Sequence, residues 1–555
     1  MKWKYKDLPP DNFFTEHADM DHLLLTLLYN RGITTDDAIR EFLSGDSYAD
    51  PFLFPDMSKF VERIKVAVEK QEHIVIHGDY DVDGVSATSI LYLYLTDVLG
   101  IEHVDIYIPN RFNEGYGITK HTIDTFLSDK INLLISVDCG IKDIIPLEYA
   151  MEQGIDVIIS DHHTLGEQLP KVSAIIHPKD YPYHTLSGSA VAFKMTQAMD
   201  QAFGKSVSEE FVDLAGLGVV CDVMELTGEN RVIVKHALRV LHENKRLGLE
   251  ELFLLAGVDK RLIDMYHIGF VIGPRLNASG RMDSADESFH LLTSKTSEKA
   301  KEHAAKLHQL NAKRQDEMKE AIAASQQYLS GDAYINVLYI PHISVGVIGL
   351  VAGKITEMTH KPTIVLTDDS KEGLLSGSAR SIDEFHMVHA LDDHKQLFFS
   401  YGGHAKAAGL KVQREKLANF TAQIGAYAKN LLEGKDLSKT LPVDMAFELA
   451  GCDLAHVFSI LTLLEPFGEA NPRPIFESRA RVANVVYMGE NGKHLKLQLY
   501  DPQKSNGFKI EAVGFGMGER KVRTDDTIDM VYNIERNVWN GTVRYQLHLI
   551  DFILA

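Results

Sequence analysis

A short apolar run leads directly into a loop of alternating aspartates in the stretch Ile74–Gly84, IVIHGDYDVDG. Two further apolar runs end in the same kind of residue. Leu133–Val137 leads into Asp138, and Val157–Ile159 leads, after one serine, into Asp161-His162-His163. Acidic and imidazole side chains therefore follow three separate strand-like runs, and this recurrence decides the fold that we predict.

Strand-like runs alternate with helical stretches from about residue 56 to about residue 225. The runs are Ile74–Ile76, Val104–Ile108, Leu133–Val137, Val157–Ile159 and Ala174–Ile176. This alternation predicts a parallel sheet with helices on its faces. Because sites in open α/β sheets form at the carboxyl ends of strands, we expect the acids and imidazoles to meet there.

Carboxylates and imidazoles gathered in this way would repel one another and lose hydration. Divalent cations remove that cost, and these ligand types suit Mn²⁺ or Mg²⁺ more than a metal that prefers thiolates. The number of candidate ligands favours two ions. Two ions held by acidic residues are suited to in-line phosphoryl displacement, so the pattern indicates a phosphoesterase.

Simpler explanations exist for each motif taken alone. The spacing of Asp79, Asp81 and Asp83 resembles the opening of an EF-hand loop, but that loop needs a glutamate at its twelfth position. Ile90 stands there, and a strand precedes the motif where a helix should. A solvated acidic loop is the usual explanation for a single aspartate run, and His162 alone could be an ordinary core or surface histidine.

The chain has 555 residues, too many for one hydrophobic core. Residues 295–328 are polar with apolar positions at near-helical spacing, which predicts a connecting helix of roughly 50 Å. Short alternating segments with turn signals after about residue 465 predict a small β-barrel. We therefore expect a multidomain α/β protein with an N-terminal helical segment (1–55), a parallel-sheet domain (56–290), the connecting helix (291–330), a smaller α/β domain (331–435), and a linker with a barrel (436–555).

The net charge of −21 argues, at face value, against a nucleic-acid partner, because phosphate contacts need Lys and Arg. The balance differs along the chain: residues 471–555 contain 12 Lys and Arg against 10 Asp and Glu. If many of the acidic residues lie in a metal site, bound cations would make the charge of that site positive. The chain has no apolar run of roughly 20 residues and no apolar segment typical of a secretory signal, so we expect a cytoplasmic protein without a membrane partner.

Ordered motifs along the chain resemble the DHH phosphoesterase superfamily and, within it, the RecJ family of bacterial single-strand-specific exonucleases. The superfamily motifs are matched by His77–Gly84, Asp138, Asp161-His162-His163 and Leu217–Asp222. The RecJ-like motifs are PNR at 109–111, EGYG at 114–117 and GPRLNASGRM at 273–282. Two later motifs, GSARS at 377–381 and GGHAKAAG at 402–409, resemble a DHHA1 domain. The motif PFGEANP at 466–472 resembles the entry to an OB-fold. Cys221, Glu225 and His177 depart from the family pattern without removing a presumed ligand.

The resemblance implies metal ligands. Asp81 and Asp138 would hold one ion with help from His77, and Asp83, Asp138, His162 and Asp222 would hold the second. Asp79 would be an outer ligand that orients the attacking water, and His163 would contact the scissile phosphate.

It also implies DNA contacts. Arg111, Ser378 and Arg380 would bind the terminal 5′-phosphate, and Arg275, Asn277 and Arg281 would line the path of the strand. The DHHA1-like motif adds Gly402, Gly403 and His404 as phosphate-binding residues. Salt bridges to nearby acids such as Asp283 are the alternative explanation for Arg275 and Arg281.

The function implied is a two-metal exonuclease that hydrolyses single-stranded DNA from 5′ to 3′ to mononucleotides in repair and recombination, with a helicase and a single-strand-binding protein as partners. A phosphodiesterase acting on very short oligonucleotides or cyclic dinucleotides is one alternative, but such relatives lack a C-terminal β domain. A catalytically inactive replication-fork scaffold is another, but such proteins tend to lose metal ligands. Aromatic residues among the basic residues of the barrel, such as Tyr487, Phe515 and Tyr532, would suit base stacking, although most are expected to be core.

Overall fold

The computed structural model describes residues 1–110, 117–329, 331–369, 371, 373–449, 451–500, 509–539 and 542–555. Arg111, predicted to bind the terminal phosphate, lies outside the described residues. The strands of the described chain are β1 (Lys2–Tyr5), β2 (Ile74–Gly78), β3 (Val104–Tyr107), β4 (Leu133–Val137), β5 (Asp156–Ser160), β6 (Ala174–Ile176), β7 (Asn336–Tyr339), β8 (Thr363–Asp368), β9 (Leu374–Arg380), β10 (Phe398–Gly403), β11 (Ala407–Gln413), β12 (Thr440–Val443), β13 (Met445–Ala446), β14 (Phe476–Met488), β15 (His494–Tyr500), β16 (Ile510–Gly514), β17 (Thr527–Trp539) and β18 (Thr542–Leu554).

Many of the α-helices begin at a capping Ser, Thr or Asp side chain that accepts hydrogen bonds from the first turn. The α-helices of the described chain are α1 (Asp11–Glu16), α2 (His22–Tyr29), α3 (Asp36–Ser44), α4 (Met57–Lys70), α5 (Val82–Leu93), α6 (Lys120–Ser128), α7 (Ile144–Glu152), α8 (Gly188–Phe203), α9 (Val212–Cys221), α10 (Gly228–Glu243), α11 (Leu247–Ala256), α12 (Gly273–Met282), α13 (Asp286–Leu292), α14 (Ser297–Ser325), α15 (Val345–Thr359), α16 (Met387–Asp392), α17 (Leu417–Leu432) and α18 (Leu454–Leu464). None of them is both long enough and apolar enough to cross a membrane.

The chain divides into two compact units. The larger unit comprises Tyr48–Met224 and Glu229–Leu437, and the smaller comprises Met1–Ser47, Glu225–Gly228 and Ser438–Ala555.

The first sheet of the larger unit is the predicted parallel sheet, with strand order β3-β2-β4-β5-β6. One face packs on α6 and α7 through residues such as Leu134, Val157, Phe126 and Leu147. Helices α5 and α8 contact strands of the sheet, and almost every residue of α5 is buried. A sheet covered by helices explains why its strands read as continuous apolar runs.

Helix α14 is the predicted connecting helix, and its 29 residues extend about 44 Å. It packs against α11, α12, α13 and α15. Beyond it lies the second sheet, of order β10-β11-β9-β8-β7, in which only the β7–β8 pair is parallel among the described strands. Its core combines residues of β8, β9 and β11 with Phe420 and Ile424 of α17. The predicted smaller α/β fold is confirmed.

The smaller unit contains the predicted β-barrel, in which β14, β15, β16, β18 and β17 pair in that order and β17 pairs back with β14. Its core includes apolar residues from α1–α3, such as Phe13, Leu25 and Leu28. The strand β1 pairs in parallel with β12, from Lys2 opposite Thr440 to Tyr5 opposite Val443. The sequence pattern did not predict this pairing, because four residues far from their partner carry no local signal. The domain boundaries given above stay predictions.

The fully buried Ile135 lies on the central strand β4, so Ile135→Ala is expected to lower the free energy of unfolding by about 3 kcal/mol, through lost burial and the cavity left behind. The matched control is Ile145→Ala on α7, where the side chain is 81% exposed and the expected change is under about 0.5 kcal/mol. Urea unfolding monitored by circular dichroism measures both. Equal effects of the two substitutions would contradict the placement of β4 at the centre of the core.

Candidate active site

The carboxyl ends of three neighbouring strands bring the predicted acids and imidazoles together. Strand β4 lies between β2 and β5, with Gly78 opposite Val137 and Val137 opposite Ser160. The three strands therefore end at the same level. The loop of Asp79–Asp83, then Asp138, and then Asp161-His162-His163 leave the sheet side by side, as we predicted.

Three groups of side chains offer ligand atoms that lie within 4.8 Å of one another among the described residues. The groups are Asp79, Asp81 and Asp138; Asp83, His162 and Asp222; and Asp138, His162 and His163. Asp138 belongs to two groups, consistent with a bridging position between two cations. Asp79 lies in the same group as Asp81, whereas the resemblance implied an outer role for it.

His162 is the centre of the second group. Its Nε2 lies 3.0 Å from Asp138 Oδ1, 3.6 Å from Asp222 Oδ2 and 3.9 Å from Asp83 Oδ2. Asp222 comes from a different part of the chain, directly after α9, where it caps the end of the helix. The fourth predicted ligand motif therefore reaches the same place as the strand ends.

The N-terminus of α8 holds the carboxylate of Asp83, and sequence reasoning missed this contact. Asp83 accepts hydrogen bonds from Ser187 Oγ at 2.8 Å, from Gly188 N at 2.6 Å and from Ser189 N at 3.0 Å. Backbone N–H groups at a helix start favour negative charge. The signal that could have revealed it is the Ser-Gly-Ser sequence just before a helical apolar stretch.

Asp81 has a similar relation to α5. Its Oδ1 accepts from the backbone N–H of Asp83 at 3.0 Å and of Gly84 at 3.1 Å, so it caps that helix. The carboxylate of Asp79 accepts from the N–H of Tyr80 at 2.7 Å. These bonds orient the carboxylates before any ligand binds.

Burial and mutual repulsion raise the pKa values of the clustered carboxyls. Burial, reinforced by Asp83, raises the pKa of Asp81 and raises that of Asp138 well above its usual range. The same causes raise the pKa of Asp222 to about 8. The cluster therefore resists ionisation in the absence of a compensating positive charge.

His77 Nε2 is buried without a hydrogen-bond partner among the described residues, and Asp138 Oδ1, although 3.0 Å from His162 Nε2, is buried without a well-aligned hydrogen bond. Burial lowers the pKa of His77 to about 4 and also lowers that of His162, so both imidazoles are neutral near pH 7. Neutral imidazoles and carboxylates with unused lone pairs are the donor set that divalent cations use. These residues fit two Mn²⁺ or Mg²⁺ ions, although His77 belongs to none of the three groups above.

His163 differs from His162 in its environment. Its Nδ1 lies 2.8 Å from Asp161 Oδ1, and this hydrogen bond raises the pKa of His163. Burial acts to raise the pKa of Asp161, but the bonds from His163 and from the backbone of Ile141 outweigh it, and the net shift is downward. Both shifts favour a proton on the partly exposed His163 ring and a negative charge on Asp161, and the two groups lie within ion-pair distance.

Close packing leaves no room for side chains at two glycines. A Cβ atom on Gly188 would lie 2.5 Å from Asp138 Oδ1, and one on Gly218 would overlap Asp83 and Ser189. Asp138 itself has φ of +59°, a conformation that non-glycine residues rarely adopt. Its carboxylate is thus held by backbone geometry that the surrounding structure enforces.

Two of the residues predicted to line a DNA path join α12 to its surroundings near the site. Asn277 Oδ1 accepts from the backbone N–H of Val82 at 3.2 Å. Arg281 donates to Gly346 O at 3.4 Å, and its charge acts on Asp81. Arg275 instead donates to Val271 O at 2.6 Å within its own segment and forms no ion pair in the part of the chain described, so the salt-bridge explanation finds no support there.

Ser378 and Arg380 lie together on β9, where Arg380 Nη1 donates to Ser378 Oγ at 3.2 Å. A Cβ atom on Gly349 of α15 would lie 3.1 Å from Ser378 Oγ and 3.2 Å from Arg380 Nη2, so this helix borders them. Gly349 was not predicted as a site residue.

Gly402 and Gly403 end β10, and His404 begins the turn into β11, with all three exposed. Gly403 has φ of +152°, and a Cβ atom there would meet the backbone of Ala408. In the barrel, Tyr487 and Phe515 are exposed, whereas Tyr532 is fully buried and therefore belongs to the core.

Three families of domains match the chain. Residues 73–219 match the DHH family, N-terminal domain; residues 332–430 match the DHHA1 domain; and residues 443–551 match the RecJ OB domain.

Curated relatives match along the whole chain. The single-stranded-DNA-specific exonuclease RecJ of Bacillus subtilis is 35% identical, with 99% of this chain and 70% of that protein covered. The protein of the same name from Haemophilus influenzae is 31% identical, with 99% and 98% covered.

Solved structures agree with these matches. The crystal structure of RecJ from Thermus thermophilus in complex with Mn²⁺ has a TM-score of 0.86 at 27% identity, covering 100% of this chain and 79% of that one. The structure of the same protein in complex with Mg²⁺ has a TM-score of 0.80 at 26% identity, covering 99% and 78%.

Gly188→Ala is expected to weaken Mn²⁺ binding by roughly tenfold to a hundredfold, because the new methyl group displaces Asp138. Isothermal titration calorimetry with Mn²⁺ measures the change. The control is Gly425→Ala on α17, where nothing lies within 4 Å of the added Cβ atom and affinity should be unchanged. Wild-type affinity in the Gly188→Ala variant would contradict this packing.

Metal-free protein is expected to lose thermal stability as the pH rises. Carboxyls with folded pKa values raised above the unfolded ones stabilise the fold at low pH, and that contribution is lost as the pH rises through about 8, the folded value of Asp222. Bound cations favour the ionised forms, so the increase in Tm on adding Mn²⁺ should be larger at about pH 8.5 than at about pH 6.

Scanning calorimetry in chelator and in Mn²⁺ tests this pH dependence. Asp222→Asn should flatten the curve measured in chelator. An increase in Tm that is independent of pH would contradict the assignment.

Proposed function

This chain belongs to the RecJ family of single-stranded-DNA-specific exonucleases, and from that premise we propose that it hydrolyses single-stranded DNA from the 5′ end, releasing mononucleotides. The observation that carries the proposal is the meeting of six carboxylate and imidazole side chains from four separate segments. These are Asp79, Asp81, Asp83, Asp138, His162 and Asp222.

Two Mn²⁺ or Mg²⁺ ions are the proposed cofactors. Asp79, Asp81 and Asp138 would hold one ion, with His77 nearby, and Asp83, Asp138, His162 and Asp222 would hold the other. Such ions supply Lewis acidity that activates water and neutralises charge on a phosphodiester.

The chain's own groups then position the substrate. The bond to Asp161 raises the pKa of His163, and the protonated ring would present Nε2–H as a charged donor to an oxygen of the scissile phosphate. The bond to Asp161 fixes the orientation of the ring. This arrangement supports a role for His163 in stabilising charge that develops on the phosphate.

Polarity would come from capture of the terminal phosphate. Arg380 offers a planar guanidinium beside the Ser378 hydroxyl, a combination suited to phosphate oxygens. We propose that these two residues, with Arg111, bind the 5′-phosphate. Gly402, Gly403 and His404 would add backbone and imidazole contacts, and Asn277 and Arg281 would guide the strand.

In this proposal the smaller α/β domain closes a channel over the metal site. The channel would be too narrow for a duplex, which would explain specificity for single strands. The barrel would add binding along the strand through exposed aromatics such as Tyr487 and Phe515. A role in repair and recombination, partners such as a helicase and a single-strand-binding protein, and a cytoplasmic location are further parts of this proposal.

Asp138→Asn is expected to reduce Mn²⁺-dependent digestion of end-labelled single-stranded DNA by at least about a thousandfold, because it removes the shared carboxylate. The control is Asp316→Asn, which changes an exposed carboxylate on α14 in the same way and should leave the rate unchanged. Undiminished digestion by the Asp138→Asn variant in a clean preparation would overturn the proposed site.

Blocking the 5′ end of the DNA should stop digestion, whereas blocking the 3′ end should not. Arg380→Met should raise the KM for a 5′-phosphorylated strand roughly tenfold, with little change for the 5′-hydroxyl strand. The assay compares both strands with Mn²⁺, Mg²⁺ or chelator. Faster cleavage of a dinucleotide than of a long strand would instead favour the short-oligonucleotide phosphodiesterase.

A further inference from the structure

The thiol of Cys139 lies against the imidazole ring of His77 in the larger unit. Cys139 is the second residue after β4, and His77 lies on β2, the neighbouring strand of the parallel sheet. Cys139 Sγ lies 3.5 Å from His77 Nδ1, and the thiol donates to the backbone oxygen of His77 at 3.7 Å. Cys139 is 2% exposed and His77 is fully buried, so solvent does not compete with these contacts.

The turn after β4 holds the thiol in this position. Asp138 has φ of +59° and Gly140 has φ of +105°, so left-handed backbone flanks Cys139 on both sides. A Cβ atom on Gly140 would lie 2.6 Å from Ser136 Oγ, so no other residue fits there without a shift. The same turn therefore fixes the carboxylate of Asp138 and the thiol of Cys139.

The face of the His77 ring is fixed as well. Tyr107 lies opposite His77 in the pairing of β3 with β2, and the two rings stack with their centroids 5.4 Å apart and their planes at 24°. The ring of Phe126 on α6 packs edge-on against Tyr107, with centroids 5.4 Å apart. The ring of His77 is thus held in place, and the remaining variable is which of its nitrogens carries the hydrogen.

The contacts of Cys139 favour one tautomer of His77. A neutral imidazole has a hydrogen on one nitrogen and a lone pair on the other. The single thiol hydrogen is directed at the backbone oxygen, so the sulfur is an acceptor toward Nδ1, and Nδ1 carries the hydrogen. Nε2 is left with its lone pair, and this atom is buried without a hydrogen-bond partner in the described part of the chain.

A buried lone pair without a partner is unfavourable, and a divalent cation at Nε2 would remove that cost. Metal-ligating histidines usually donate their other ring N–H to a neighbouring group, which fixes the tautomer and the ring orientation. The thiol is such a neighbour for His77. It also joins two ligand segments, because His77 precedes Asp79 by two residues and Cys139 directly follows Asp138.

We propose that Cys139 is a positioning residue that keeps the hydrogen of His77 on Nδ1, so that the lone pair of Nε2 is available to a divalent cation. The cation is the one assigned above to Asp79, Asp81 and Asp138. Cys139 is not itself a ligand, because its sulfur and its hydrogen both face His77. This inference rests on the proposed function, since it assigns a residue that orients one ligand of the same metal site.

The first test is isothermal titration of the full-length chain with Mn²⁺. Cys139→Ala should weaken Mn²⁺ binding about tenfold, through loss of the group that fixes the tautomer. Cys139→Ser keeps a donor and an acceptor at the same position and should stay within about threefold of the wild type. The control is Cys452→Ala, which removes a partly buried thiol from the smaller unit and should leave the affinity unchanged.

A double-mutant cycle with His77→Asn separates positioning from a general structural role. The asparagine amide still reaches toward Cys139 but places no atom at the position of Nε2, so His77→Asn should itself weaken Mn²⁺ binding about tenfold. Adding Cys139→Ala to that variant should then cause less than about a twofold further loss, because Cys139 acts only through Nε2.

Three results would overturn the role of Cys139. They are wild-type affinity in Cys139→Ala, an equal loss in Cys139→Ala and Cys139→Ser, and additive losses in the cycle with His77→Asn. Urea unfolding in chelator accompanies each titration. If Cys139→Ala does not fold, Cys139→Val takes its place, because it fills the space of the thiol and removes both hydrogen bonds.

The proposed function is tested separately by digestion of end-labelled single-stranded DNA with Mn²⁺. Absence of digestion by the wild type would overturn the proposed function. Normal digestion by the wild type, together with any of the three contrary titration results, would overturn the positioning role of Cys139 alone.

Discussion

Mutual repulsion among buried carboxylates is the constraint on which the rest of the active site depends. Burial and neighbouring carboxylates raise the pKa values of Asp81 and Asp138, and they raise the pKa of Asp222 to about 8. The fold gathers them by backbone geometry, because parallel strands end at one level and two helix starts direct their N–H groups at the carboxylates. Divalent cations would compensate the negative charge of these carboxylates, so metal affinity and the stability of the larger unit are linked.

The two adjacent histidines His162 and His163 differ in their pKa shifts because their side chains contact different partners. His162 is drawn into the carboxylate cluster and stays neutral, as a metal ligand must. His163 is bound to Asp161, and this hydrogen bond raises its pKa. The pKa values of two neighbouring histidines are therefore shifted in opposite directions, because the turn after β5 directs the rings to different partners.

The net charge of −21 describes the chain as a whole and not any one region of it. Whole-chain charge argued against a nucleic-acid partner, but the acids are concentrated partly in the metal site. Arg380 lies beside Ser378 on β9, so a guanidinium and a hydroxyl group are adjacent there. Local environment, and not the total, decides where an anion binds.

The sequence alone determined the parallel sheet, the connecting helix, the barrel and which acids and imidazoles follow the strand ends, because apolar periodicity and strand-end motifs are local patterns. Tertiary structure alone decided that β1 pairs with β12 across more than 430 positions, that Asp79 sits with Asp81 and Asp138, and that Ser187, Gly188 and Ser189 hold Asp83. These features depend on which distant segments pack together. A local pattern of residues does not determine the distance between two side chains that are far apart in the sequence.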